Sequence, residues 1–219
     1  MKFKAFLFDN DGTLTDSNKI IVESWQHMAR TLIGHELGLD EIYSSFGRPL
    51  DDIMTEVAEK YKLSCTYKEL CDVYRDYQIA HSTDGISIFP GIPEALDALN
   101  DLGIKLGVVT SRINDSTEKI LKENGIYENF DAIIGAYDTR IHKPNPEPAL
   151  LCCKKLGVDP KDALMIGDAV FDIMCGHNAG CKTCFVAWSQ CTTVEQAIEG
   201  AHPDYIVYNP MELLDLVKG

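Results

Sequence analysis

Short apolar runs bounded by turn-forming residues recur along this chain, and longer stretches with helical spacing lie between them. KFKAFLF (2–8) is the first run, rich in aromatic residues and ended by DNDG, which predicts a buried strand followed by a loop. IKLGVVT (104–110), DAIIGA (131–136), DALMIGD (162–168), CKTCFVA (181–187) and DYIVY (204–208) repeat the pattern at strand length. Helical spacing is found at 93–102, 115–124, 146–156, 170–179, 194–199 and 211–218. Strand and helix in alternation, with segments long enough to cross back over a sheet, predict an α/β fold with a parallel sheet covered on both faces.

From about Ser17 to Ser82 the rhythm changes, and only helical periodicity is found, as in IIVESWQHMARTLI (20–33) and LDDIMTEVAEKY (50–61). This stretch is expected to be a helical insert. It leaves the chain just after the first strand and returns through TDGISIFPG (83–91), whose Gly and Pro punctuation suits a paired linker or hinge. An insert at that point belongs at the carboxyl end of strand one, where open parallel sheets bind ligands, so a cap over an active site is the expectation.

The length of 219 residues, 45% of them hydrophobic, is enough for one full α/β domain and a smaller insert. With 20 basic against 34 acidic residues the net charge is -14, which argues against non-specific attachment to nucleic acid or to anionic lipid. An anionic substrate would meet a repulsive mean field, so its site would need a bound cation and local Lys or Arg to reverse the sign. No apolar run reaches the roughly 18 residues of a membrane span, and AFLF stops at Asp9, too early for a signal-peptide core, so a cytoplasmic location is expected. The eight Cys are then expected to be buried thiols. CKTC (181–184) is the sharper alternative, as a zinc or redox pair, but it runs straight into the apolar FVAW segment.

Asp9 and Asp11 flank Asn10 at the end of the first strand, and residues two apart on a strand share a face, so both carboxylates can enter one crevice. Phosphate ester hydrolysis can use such a pair unequally: one ionised carboxylate attacks phosphorus, and the other protonates the leaving oxygen and then activates water. Gly12 follows, and a glycine there permits close backbone approach to an oxyanion.

FDNDGTLTDS (8–17) resembles the first signature of the haloacid dehalogenase superfamily, in its phosphatase branch: an apolar strand followed by DxDGT. Three more signatures follow in that family's order. VVTSR (108–112) supplies Thr110, with Ser111 beside it, whose hydroxyls can donate to a phosphoryl oxygen. HKPNPEP (142–148) supplies Lys143, whose ammonium would offset the charge of phosphate and two carboxylates. MIGDAVFD (165–172) supplies Asp168 and, four residues on, Asp172. The resemblance implies a doubly wound core at 1–16 and 83–219, with a smaller mobile helical cap at 17–82. It also implies Mg²⁺ held by the side chains of Asp9 and Asp168 and the backbone carbonyl of Asp11, a hard cation among oxygen donors. Asp172 would then orient Lys143 or a metal-bound water.

Within the superfamily a departing halide needs no proton whereas a departing alkoxide does, so Asp11 argues for phosphomonoester hydrolysis over dehalogenation. SSFGRPLDD (44–52) resembles the cap loop of phosphoglycolate phosphatase-like proteins, and its Arg48 could grip a substrate carboxylate or distal phosphate. The expected substrate is phosphoglycolate or another small phosphorylated metabolite. A sugar phosphomutase, a pyrophosphatase and a non-catalytic binding relative are the alternatives. One departure stands out: the second motif of phosphoglycolate phosphatases resembles TNK, whereas this chain has Thr110, Ser111 and Arg112.

Overall fold

The computed structural model describes residues 2–45, 48, 50–81, 85–189 and 192–218. In chain order the strands are β1 (Ala5–Phe8), β2 (Thr15–Asp16), β3 (Ser87–Ile88), β4 (Lys105–Val109), β5 (Ala132–Ile134), β6 (Ala163–Gly167), β7 (Lys182–Val186) and β8 (Tyr205–Val207). The α-helices are α1 (Asn18–Met28), α2 (Leu39–Tyr43), α3 (Leu50–Lys60), α4 (Tyr67–Ala80), α5 (Ile92–Asp101), α6 (Asn114–Glu123), α7 (Glu147–Leu156), α8 (Val170–Ala179), α9 (Val194–Ala201) and α10 (Leu213–Lys218). The chain divides into two compact units, Met1–Asp16 with Ser87–Gly219, and Ser17–Ile86.

In the larger unit six strands form one parallel sheet in the order β5-β4-β1-β6-β7-β8. The chain builds outward from β1 through β4 to β5, then crosses back and builds the other half from β6 to β8. The strand order therefore switches direction at β1, flanked by β4 and β6, and the carboxyl ends of such strands open onto a crevice. Alternation along β1 sends Phe6 and Phe8 into one core with Leu96, Leu99, Leu121 and Leu213 of α5, α6 and α10. Ala5 and Leu7 point to the opposite face, into a second core with Ala149, Cys152 and Leu156 of α7 and Cys175 of α8. Helices cover both faces, the doubly wound arrangement expected of the sequence.

The linker to the helical segment is a two-stranded antiparallel ribbon, with Thr15 opposite Ile88 and Asp16 opposite Ser87. This pairing accounts for a boundary at Ile86, where the sequence places it at Ser82, because the returning chain rejoins the larger unit only once β3 pairs with β2.

The smaller unit has its own core, in which Trp25, Met28, Ile53, Met54, Leu70 and Tyr74 pack together. Their spacing puts them on one stripe each of α1, α3 and α4. Trp25 meets Tyr74 edge to face at 5.5 Å. Thr66 and Glu69 cap the start of α4 reciprocally.

The described cysteines are free thiols, all buried except Cys65. CKTC does not form a pair: Cys181 lies in the core on one face of the sheet and Cys184 in the core on the other. Residues three apart on a strand point to opposite faces, so the two sulfurs cannot share a ligand. No described helix is long and apolar enough to cross a membrane.

Candidate active site

β1, β4 and β6 are neighbours in the sheet, and each ends in a polar residue of the expected set: Asp9, Thr110 and Asp168. Main-chain hydrogen bonds continue the sheet one residue beyond the strands, from Asp9 N to Ile166 O at 2.8 Å and from Thr110 N to Ile134 O at 2.9 Å. The first loop then folds tightly, with Leu14 N and Thr15 N both donating to the carbonyl of Asn10 at 3.0 and 2.9 Å.

Gly12 makes this turn possible. Its φ is +84°, and a Cβ there would lie 2.1 Å from Asp168 Oδ2. Gly167 plays a matching part on β6, where a Cβ would lie 2.3–2.5 Å from the side chain of Asp172. Two glycines thus let two loops close onto two carboxylates.

Lys143 is the hub of the cluster. Its Nζ donates to Asp9 Oδ1 at 2.6 Å, to Asp172 Oδ1 at 2.6 Å and to the carbonyl of Val109 at 3.1 Å. Asp172 is fixed from its other oxygen, which accepts from Ala169 N at 3.1 Å at the start of α8. Ser189, in the loop after β7, donates to Asp168 Oδ2 at 2.6 Å. Beside it, Trp188 Nε1 donates to the carbonyl of Thr13 at 3.0 Å and ties that loop to the first.

Asp9, Asp168 and Asp172 each offer a carboxylate oxygen within 4.8 Å of the others, and all three are buried. Burial holds the Asp9 carboxyl well above the usual carboxylate range, and the charges of Asp172, Asp168 and Asp11 add to that against the pull of Lys143. Burial and the Asp172 charge push Asp168 up to about 7, in spite of the Ser189 hydrogen bond. For Lys143, burial works against the charged form, but Asp172 and Asp9 outweigh it and hold the ammonium above its ordinary range. One ammonium among three buried carboxylates leaves negative charge in excess. Such a cluster of oxygen donors suits a hard divalent cation, which would relieve the strain that raises Asp9 and Asp168.

The remaining expected residues are placed differently. The side chain of Asp11 is not in the carboxylate cluster; it is taken by Arg112, whose Nη2 donates to Oδ1 at 2.6 Å and whose Nε lies 3.2 and 3.0 Å from Oδ1 and Oδ2. Thr110 Oγ1 accepts from the backbone N–H of Arg112 at 3.1 Å, and Ser111 is exposed. Arg48 belongs to the smaller unit and pairs with Glu56 through both Nη1 and Nη2. Phe46, Gly47 and Pro49 of its loop lie outside the described residues.

Sequence reasoning missed Arg112 and Ser189 as parts of this site. Arg112 stood two residues from Thr110 and registered only as a departure from TNK. Ser189 carries no motif of its own, and only the return of β7 alongside β6 brings it to Asp168.

The fold and this constellation define the class. Residues 6–186 match the family model for haloacid dehalogenase-like hydrolases, and the chain belongs to that family. It is 38% identical over 215 residues, 98% of this chain and 97% of the other, to a Clostridium perfringens protein named "Putative pyrophosphatase PpaX". Pyrophosphatase PpaX of Bacillus velezensis is 33% identical over 97% of this chain and 95% of its own length. Among solved structures, a "predicted phosphoglycolate phosphatase" from Haemophilus somnus shares the fold, with a TM-score of 0.87, 24% identity and 99% of each chain covered.

Proposed function

We propose that this hydrolase is a Mg²⁺-dependent phosphohydrolase of a small phosphorylated metabolite, acting through an aspartyl-phosphate on Asp9. The observation that carries the proposal is the buried cluster of Asp9, Asp168, Asp172 and Lys143 at the carboxyl ends of adjacent strands. Lys143 engages Oδ1 of Asp9, which leaves Oδ2 for attack on phosphorus. As the bond to the leaving group breaks, Asp11 is the acid available to an alkoxide. Asp11 then takes a proton from the water that attacks the phosphoryl-enzyme, and Asp9 is released. The Thr110 and Ser111 hydroxyls are the donors for phosphoryl oxygens, and the Lys143 ammonium offsets their charge.

Asp9 and Asp168, with the main-chain carbonyl of Asp11, would hold Mg²⁺, and Asp172 would keep Lys143 in place. When bound, the cation supplies positive charge that draws in phosphoryl oxygens and keeps the buried carboxylates ionised.

For the substrate, relatives at 33–38% identity over nearly their whole length bear the name pyrophosphatase, which favours inorganic pyrophosphate over phosphoglycolate. Phosphoglycolate rests on a neighbour at 24% identity, a likeness of fold. We assign Arg48 to a substrate's distal anion and residues 17–82 to the choice of substrate.

The test is release of phosphate from pyrophosphate, 2-phosphoglycolate and a panel of sugar phosphates, with Mg²⁺ and with a chelator. Turnover that needs Mg²⁺, and that Asp9→Asn abolishes while the fold persists, is the expected result. Normal turnover by Asp9→Asn would remove the nucleophile assignment. Transfer to a second sugar hydroxyl, without net phosphate release, would make the protein a mutase.

A further inference from the structure

Asp168 is held from two loops at once. Ser189 Oγ, in the loop after β7, donates to its Oδ2 at 2.6 Å, and Thr13 Oγ1, in the loop after β1, donates to its Oδ1 at 3.5 Å. Trp188 joins the two loops, since its Nε1 donates to the carbonyl of Thr13 at 3.0 Å. Trp188, Thr13, Asp168 and Ser189 therefore make a closed circuit, completed by the peptide between Trp188 and Ser189. Gly12 lies on the same side of Asp168, in a gap too narrow for a methyl group.

Each link of this circuit depends on the next. The Thr13 contact with Asp168 is at the long end of hydrogen-bond range, so a retreat of the first loop by a few tenths of an ångström breaks it. That loop is otherwise kept in shape by short-range main-chain bonds, from Leu14 N and Thr15 N to the Asn10 carbonyl and from Gly12 N to the Thr15 carbonyl. The indole adds a link from a distant part of the chain. Its rings pack against the core that contains Phe6, Phe8 and Leu14, which fixes the direction of an N–H that can only donate. Thr13 is fully buried, so water is not at hand to replace the indole on its carbonyl.

We propose that Trp188 is a positioning residue for the cation site: through the Thr13 carbonyl its indole N–H holds the first loop against Asp168, and so fixes the orientation in which that carboxylate meets a cation. The proposal rests on the assignment of Asp9 and Asp168 as Mg²⁺ ligands. Ser189 by itself anchors one oxygen of Asp168 and leaves the carboxylate free to turn about it. Thr13 on the other oxygen stops that turn, and Trp188 keeps Thr13 within reach. Groups that orient a metal ligand directly are worth about 10–100-fold in metal affinity, and one acting through an intervening residue is worth less.

The experiment uses Trp188→Phe, which keeps an aromatic ring in the packing and deletes the donor. Two measurements are made on it and on the wild-type protein, neither of them of turnover. In hydrogen exchange with chelator present, the amides of Leu14 and Thr15 should exchange at least about fivefold faster in the variant, while those of α7, packed on the other face of the sheet, keep their wild-type rates. In calorimetric titration with Mg²⁺ alone, without substrate, the variant's Kd should rise by about fivefold. Exchange that speeds up equally in α7 would mean a general loss of stability and would overturn the proposal. Unchanged exchange in the first loop, or an unchanged Kd for Mg²⁺, would overturn it as well. Should Trp188→Phe fail to fold, 3-benzothienylalanine placed at position 188 alone, with sulfur where the N–H was and both rings kept, decides the matter in the same terms. Wild-type protein that takes up no Mg²⁺ would end the ligand assignment and this proposal with it, a result distinguished from the others because it needs no variant.

Discussion

Replacing Lys143 with Met would remove the single ammonium that joins Asp9 and Asp172. Both carboxylates lie 2.6 Å from Nζ, and the three side chains are 3–8% exposed, so water cannot take the place of the lost charge. Removing one partner of a buried ion pair costs about 3–5 kcal/mol, because the other is left buried and uncompensated. The cost should depend on pH in a definite direction. Burial already holds the Asp9 carboxyl above its ordinary range against the pull of Lys143, and without Lys143 it rises further. A folded state that keeps a proton the unfolded chain has released loses stability as pH rises, by up to about 1.4 kcal/mol per pH unit for one proton. The deficit of the variant should therefore be near its full about 3–5 kcal/mol at about pH 8 and smaller by roughly 1–3 kcal/mol at about pH 5.5. Urea unfolding of both proteins in metal-free buffer, followed by circular dichroism, measures it. A deficit below about 1 kcal/mol at both pH values, or one that grows on acidification, would refute the reasoning.

Three further outcomes are expected. With chelator present, wild-type stability should fall as pH rises from the ordinary Asp value of 3.8 toward about 7, where Asp168 ionises, a loss on the order of 4 kcal/mol from that group; Mg²⁺ added at about pH 8 should raise the melting temperature, and an equal rise in Asp168→Asn would count against that residue as a ligand. Gly12→Ala should cost at least about a hundredfold in turnover, since the new methyl would lie 2.1 Å from Asp168 Oδ2 on a backbone at φ +84°, and kinetics near the wild-type rate would contradict the close approach. Ser189→Ala, which deletes the 2.6 Å hydrogen bond to Asp168, should weaken Mg²⁺ activation by about tenfold in half-saturating concentration, and an unchanged titration would deny Ser189 that role.

Much of this protein can be read without coordinates. Apolar runs of strand length and the amphipathic stretches between them identify each strand of the parallel sheet within one to three residues, because burial on two faces demands a nearly continuous apolar strand. Two residues of the carboxylate cluster are legible for a related reason: Asp9 and Asp168 each follow directly on such a strand, as Thr110 does on its neighbour, so finding the strand end finds the residue. Lys143 is legible only through the resemblance of HKPNPEP (142–148) to the family's third signature, since a lone loop Lys is ordinarily solvated.

Tertiary structure alone decided the partners. Nothing in VVTSR says that Arg112 would reach Asp11, 101 positions earlier in the chain, since that contact depends on β4 lying beside β1. Ser189 meets Asp168 only because β7 returns next to β6. CKTC looks like a ligand pair in one dimension and is split between two cores in three, because the pleat turns successive residues to opposite faces. Local pattern specifies which segments become strands and helices, whereas the order in which strands pair specifies which side chains meet, and here that order sets Arg112 against Asp11.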